Sequence, residues 1–131
     1  MKKKLLLICM MLMISPKIFA EDVVPEICAG GAGTVFVGYV TGQKYCMSNK
    51  NMNWWNAGAW CDELKMKWVS LDDCACSGTT DCVNKCPEFK GLQKNVRVAT
   101  PYGIERGGTI WNGAIGYDRR ELDWHYAMCK M

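Results

Sequence analysis

The chain is 131 residues long, half of them hydrophobic and 22% charged, with a formal net charge of +3. That length supports one hydrophobic core and leaves no room for a second domain. The excess of base sits in the first 20 residues, which hold Lys2, Lys3, Lys4 and Lys17 and no acid; without them 12 basic residues stand against 13 acidic ones. A balance so near neutral excludes binding to a nucleic-acid backbone through a clustered basic surface.

Residues 1 to 20, MKKKLLLICMMLMISPKIFA, join a lysine-rich start to an apolar run and a small residue at Ala20, the pattern of a secretory signal peptide. The run from Leu5 to Ile14 is too short for a membrane span, which takes about 20 residues. Cleavage is expected after Ala20. A secreted or periplasmic domain of residues 21 to 131 follows, with no membrane span in the mature chain. Cys9 leaves with the signal; it stands too early, and behind a bulky Ile8, to be a lipid attachment site. Eight cysteines remain: Cys28, Cys46, Cys61, Cys74, Cys76, Cys82, Cys86 and Cys129. An even count in an exported chain implies a disulfide framework, although spacing alone does not choose the pairs.

EDVVPEICAGGAG, residues 21 to 33, reads as a flexible lead-in. TVFVGYV (34 to 40), TGQK and YCMS (45 to 48) read as a hairpin. Cys28 and Cys46 would staple the lead-in to its second strand, unless Cys28 pairs elsewhere. SNKNMN is a polar break, and Asn53 suits the cap of a helix beginning at NWWNAGAWC, residues 53 to 61. Trp54, Ala57, Cys61 and Leu64 recur on its inner face. WVSL, 68 to 71, is a short buried strand.

Residues 72 to 92 crowd four cysteines among small polar residues and form a stapled loop. Cys74 with Cys86 and Cys76 with Cys82 is a nested pairing without strained short bridges; the crossed pairing is hardly less plausible. VRVATPY (96 to 102) alternates as a strand, GIERGG (103 to 108) is a turn, TIWNGAIGYD (109 to 118) is the partner strand, and RRELD turns the chain into WHYAMC, 124 to 129. If Cys61 and Cys129 are bonded, the last strand is tied to the first helix through a loop of about 70 residues.

This order of features resembles the C-type lectin-like domain. The matching stretches are NWWNAGAWC for the first helix, WVSLDD for the strand after it and HYAMC for the closing strand, and the likeness is nearest to the short bacterial members. It implies an α+β fold with a small mixed or antiparallel sheet, one main helix and disulfide-stapled loops. It also implies the pairing of Cys61 with Cys129, and the pair Cys28 with Cys46 looks like the long form of the domain. Animal members that hold sugar through calcium carry Glu-Pro-Asn or Gln-Pro-Asp in the long loop and Trp-Asn-Asp in the next strand. Here Pro101 lies in ATPYG, and Trp111-Asn112 is followed by Gly113. Calcium wants six to eight oxygen ligands, several from carboxylates. Asp118, Glu121 and Asp123, spread through an arginine-rich turn, read more simply as solvated.

No catalytic or metal-ligating residue is expected, and no cofactor. The CxC and CxxxC spacings could be drawn as a tetrathiolate zinc site, but export favours disulfides. A redox role for Cys74 and Cys76 would need an electropositive setting, whereas Asp72, Asp73 and Asp81 make it acidic. His125 could serve as a base with Cys129 as nucleophile, yet strand rise puts them about 13 Å apart.

Of the six tryptophans, Trp54, Trp60 and Trp68 have core positions and Trp124 is placed to join them. Trp55 and Trp111 are unaccounted for by packing. With Tyr102, Arg106, Asn112 and Tyr117, they suit an aromatic and polar surface. The expected ligand-binding residues are Tyr102, Arg106, Trp111, Asn112 and Tyr117, in the region where the family places its binding surface. The expected function is non-catalytic binding of a protein or glycan ligand without calcium, with a structural role in envelope or surface assembly as the alternative.

Overall fold

The structure is a computed structural model and describes residues 26–76 and 84–131. The expected leader lies outside these residues. So does Cys82, and with it the expected bridge to Cys76, which is itself disulfide-bonded.

The strands are β1 (Ile27–Cys28), β2 (Gly33–Val37), β3 (Lys44–Met52), β4 (Lys67–Trp68), β5 (Val96–Tyr102), β6 (Arg106–Trp111), β7 (Ala114–Arg119) and β8 (His125–Lys130), and the helix α1 is Trp54–Glu63. They build an eight-stranded sheet in the order β1-β2-β3-β8-β5-β6-β7, with β4 pairing to β8 beside that path. The β5–β8 pairing is parallel and the others are antiparallel. Among the described residues the fold is therefore mixed α+β around one α-helix, as the resemblance implies. It carries the bridges Cys28–Cys46, Cys61–Cys129 and Cys74–Cys86, which is the nested choice for the pair that is described.

Successive strand residues point to opposite faces, and this divides the interior in two. Tyr45, Val96, Val98, Ile110 and Met128 join Phe89 and Leu92 in one buried cluster. Arg97, between Val96 and Val98, and Cys129, next to Met128, point to the opposite face, where Cys129 is bonded to Cys61 of the helix; the Arg97 carbonyl accepts from Trp68 Nε1 at 3.0 Å. The helix starts where Asn53 Oδ1 accepts from the Asn56 N–H at 2.9 Å, as a cap should, and it buries Ala57 and Cys61.

Several sequence expectations shift. The lead-in is not all irregular, because Ile27 and Cys28 pair with Thr34 and Gly33. Residues 48–52 of the polar SNKNMN belong to β3, which runs on to Met52 against β8; Ser48 is buried there and accepts from the Ala127 N–H at 2.8 Å, while Asn49, Lys50 and Asn51 are exposed. WVSL is strand only at Trp68, and Leu71 already opens a 3-10 turn. The expected strand 109–118 is a hairpin: β6 begins at Arg106, and Asn112 (φ 47°) and Gly113 (φ 80°) form the two-residue turn into β7, the left-handed pair that Asn-Gly favours. Trp124 is 56% exposed rather than part of the core.

One buried acid braces the other end of the sheet. Glu88 is fully buried and accepts from the Val40 and Thr41 N–H groups at 2.9 Å each, from the Thr41 hydroxyl, and from Tyr45 OH at 2.9 Å. Burial pushes its carboxyl up, but these donors outweigh that and hold it below its ordinary value.

Candidate functional site

Three segments meet at one end of the sheet: the start of α1, the β5–β6 turn at 103–105 and the β7–β8 turn at 120–124. Arg120 joins them. Its carbonyl accepts from the Trp54 N–H at 3.0 Å, satisfying one of the free donors of the first helical turn, and its N–H donates to the Glu105 carbonyl at 2.9 Å. Its Nε and Nη2 donate to the carbonyls of Arg106 and Gly103 at 2.9 and 2.7 Å. The guanidinium lies 4.6 Å from the Trp54 ring centre and 5.6 Å from that of Trp55, within cation–π range.

A cleft of about 660 Å³ opens over this junction, lined by Trp55, Ile104, Glu105, Arg119, Arg120, Glu121 and Leu122. Three large apolar side chains at it stand in water: Ile104 is 92% exposed, Leu122 64% and Trp55 53%. Leaving them so forgoes the stabilisation that burial brings.

A charge network underlies the β7–β8 side. Arg97 is buried and pairs through Nη1 with Asp118 Oδ1, while Asp118 Oδ2 contacts His125 Nε2. Arg97 Nη2 reaches the carbonyls of Asp123 and Arg119, the latter at 3.3 Å, and Nε has no hydrogen-bond partner among the described residues. Burial pulls the guanidinium below its ordinary value, and the carboxylates of Asp118 and Asp123 oppose this. Asp123 Oδ2 accepts from the Arg119 N–H at 2.9 Å, which holds its carboxyl below the ordinary value. The arginine-rich turn is thus pinned from beneath. Asp118 and Asp123 are not the solvated carboxylates they read as in sequence. Among the described residues no group of three His, Cys, Asp or Glu side chains is placed to hold a metal ion, and no helix is long and apolar enough to cross a membrane.

The five expected ligand-binding residues are divided between the two ends of β6. Tyr102 and Tyr117 stack with ring centres 4.7 Å apart, and Arg106 pairs with Tyr102 in register. Trp111 lies at the far end of β6, five residues and about 17 Å away at strand rise. Asn112 forms the hairpin turn and accepts from the Gly91 N–H at 2.9 Å. It lines a separate hollow with Pro87 and Lys90. The sequence reading did not choose Ile104, Arg120 or Leu122. Ile104 and Leu122 do carry a signal, since each is a lone aliphatic residue within a polar turn.

Comparison of the chain with protein-family models, with curated proteins and with solved structures finds no match to any of them.

Proposed function

We propose that the protein is a C-type lectin-like domain, secreted or periplasmic, that binds a protein or glycan ligand without catalysis and without calcium. The observation that carries this reading is the exposure of Trp55, Ile104 and Leu122 around one cleft. Large apolar side chains gathered in this way mark interaction sites more often than chance surface. The cleft sits on turns fixed by α1, β6 and β8, and rigid support limits the entropy lost on binding. The bridge from α1 to β8 accords with the proposed family, and the departures at Pro101 and Gly113 favour a contact without calcium.

The test is binding of immobilised glycan and peptide panels to the intact protein and to three variants. Trp55→Ala and Leu122→Ala should lose the ligand with the melting temperature unchanged, and Trp111→Ala should keep it. Loss confined to Trp111→Ala would move the site to the other end of β6, and unfolding by both cleft variants would make those side chains structural. Millimolar calcium, then chelator, should leave the melting temperature where it was, since an ion bound to the native state raises it by mass action.

A further inference from the structure

Resting on the binding reading of this cleft, we infer that its occupant is a protein segment carrying an aliphatic side chain next to lysine or arginine. The floor and rim differ in what they leave unmet. Trp55, Ile104 and Leu122 offer apolar surface that is already exposed. Of the four charged residues lining the cleft, the two arginines are committed. Arg120 gives Nε and Nη2 to carbonyls and lays its guanidinium against Trp54 and Trp55, and Arg119 faces Asp123 at 3.5 Å. Glu105 and Glu121 line the same cleft with no ion-pair partner among the described residues. An arriving cation therefore meets two carboxylates without an ion-pair partner, whereas an arriving anion meets those same charges, an Arg119 paired with Asp123 and an Arg120 whose Nε and Nη2 are already taken by carbonyls.

A glycan fits these surroundings less well. Sugar stacking wants an open aromatic face, but Trp55 has Trp54 at its edge, 4.9 Å between centres, and Arg120 over its ring. Tyr102 is tilted against Tyr117. What is free is aliphatic surface with negative charge at its margin, the complement of a basic, apolar peptide. Charge at a rim chiefly sets which partner docks and how salt affects it, so the discrimination falls to Glu105 and Glu121 and the contact area to Ile104, Leu122 and Trp55.

The experiment uses the intact, disulfide-bonded protein, labelled for backbone and indole NMR signals. It is titrated with a capped Gly-Lys-Leu-Lys-Gly peptide, with its Gly-Glu-Leu-Glu-Gly counterpart and with a linear N-acetylglucosamine oligosaccharide. The lysine peptide should shift the Trp55 indole signal and the backbone signals of Ile104, Glu105, Glu121 and Leu122. It should bind about tenfold more tightly than the glutamate peptide at low salt, with the gap closing as salt screens the rim. Glu105→Gln combined with Glu121→Gln should abolish that preference while leaving the melting temperature unchanged, both positions being exposed. Equal or tighter binding of the glutamate peptide, or cleft shifts from the oligosaccharide alone, overturns the inference and leaves the binding reading standing. Silence at the cleft from all three probes overturns both.

Discussion

The indole ring of Trp54 rests on the backbone of Gly107: a Cβ built at Gly107 would lie 2.2 Å from Trp54 Cδ1 and 2.5 Å from its Nε1. The ring has little freedom to retreat. Nε1 donates to the Val98 carbonyl at 2.9 Å, Trp68 packs 4.9 Å away and Arg120 covers the ring. Gly107→Ala should therefore cost about 1–3 kcal/mol, the usual range for an overpacked site. Gly116→Ala, whose Cβ would meet only Thr109 Oγ1 at 3.1 Å, should cost less. Urea midpoints at constant slope give both values, and equal losses would show that the Trp54 contact is not the constraint.

The bridge between Cys61 and Cys129 closes 68 residues of chain, against 18 for Cys28 and Cys46. Loop-closure entropy predicts a loss of about 4 kcal/mol on removing the longer bridge and about 3 kcal/mol on removing the shorter. Alanine at both cysteines of each pair avoids leaving a free thiol. The order of the two melting temperatures is the readout. A larger loss at Cys28 and Cys46 would mean that packing around β1, and not loop length, decides.

The scaffold was far more legible than the site. Asn53 and the spacing of Trp54, Ala57 and Cys61 announce the helix because a cap and a 3.6-residue period are local. β5 is equally plain in the alternation of VRVATPY. The division at Asn112 and Gly113 is also written in the chain, since Asn-Gly between apolar runs is a strong hairpin signal, but Trp111 and Asn112 read equally as surface chemistry. What no local pattern carries is tertiary satisfaction. Arg97 sits in an apolar strand and finds Asp118 only because β7, two strands away across β6, brings it within reach, and Glu88 has no local sign of burial until Thr41 and Tyr45 arrive from more than 40 residues away. The cleft depends on three turns meeting over Arg120, a relationship with no signature in spacing.

Glu88 should make the protein acid-sensitive. Its carboxyl titrates below its ordinary value in the native state, while in the unfolded chain it takes a proton near about pH 4.3. Between those two values the unfolded chain binds more protons, so stability present above about pH 5 is lost as pH falls through the native value. Glu88→Gln should flatten that acid limb and, by weakening the hydrogen bonds from Thr41 and Tyr45, lower stability at neutral pH by about 1–3 kcal/mol. Tyr45 acts at the other limit. Burial, followed by the Glu88 carboxylate, raises its phenol, so its contribution holds below about pH 10 and is lost above. Urea midpoints across the pH range test both limbs, and an unchanged acid limb in Glu88→Gln would assign the sensitivity to other carboxylates.

Arg97 and Asp118 should behave as a unit. The Arg97 side chain has no exposed surface, and Asp118 is the carboxylate that contacts it. Asp118→Asn strands a buried guanidinium and should cost about 3–5 kcal/mol. Adding Arg97→Met removes the stranded charge, so the double variant should be more stable than Asp118→Asn alone. Because Arg97 Nη2 also holds the carbonyls of Arg119 and Asp123, the single variant should loosen the turn that carries Leu122. Faster hydrogen exchange at the Asp123 N–H, which donates to the Arg119 carbonyl at 3.1 Å, would register this. A loss within about 0.5 kcal/mol for Asp118→Asn, the level of an ordinary surface change, would show that Asp118 does not compensate Arg97 and that the turn is held by its backbone alone.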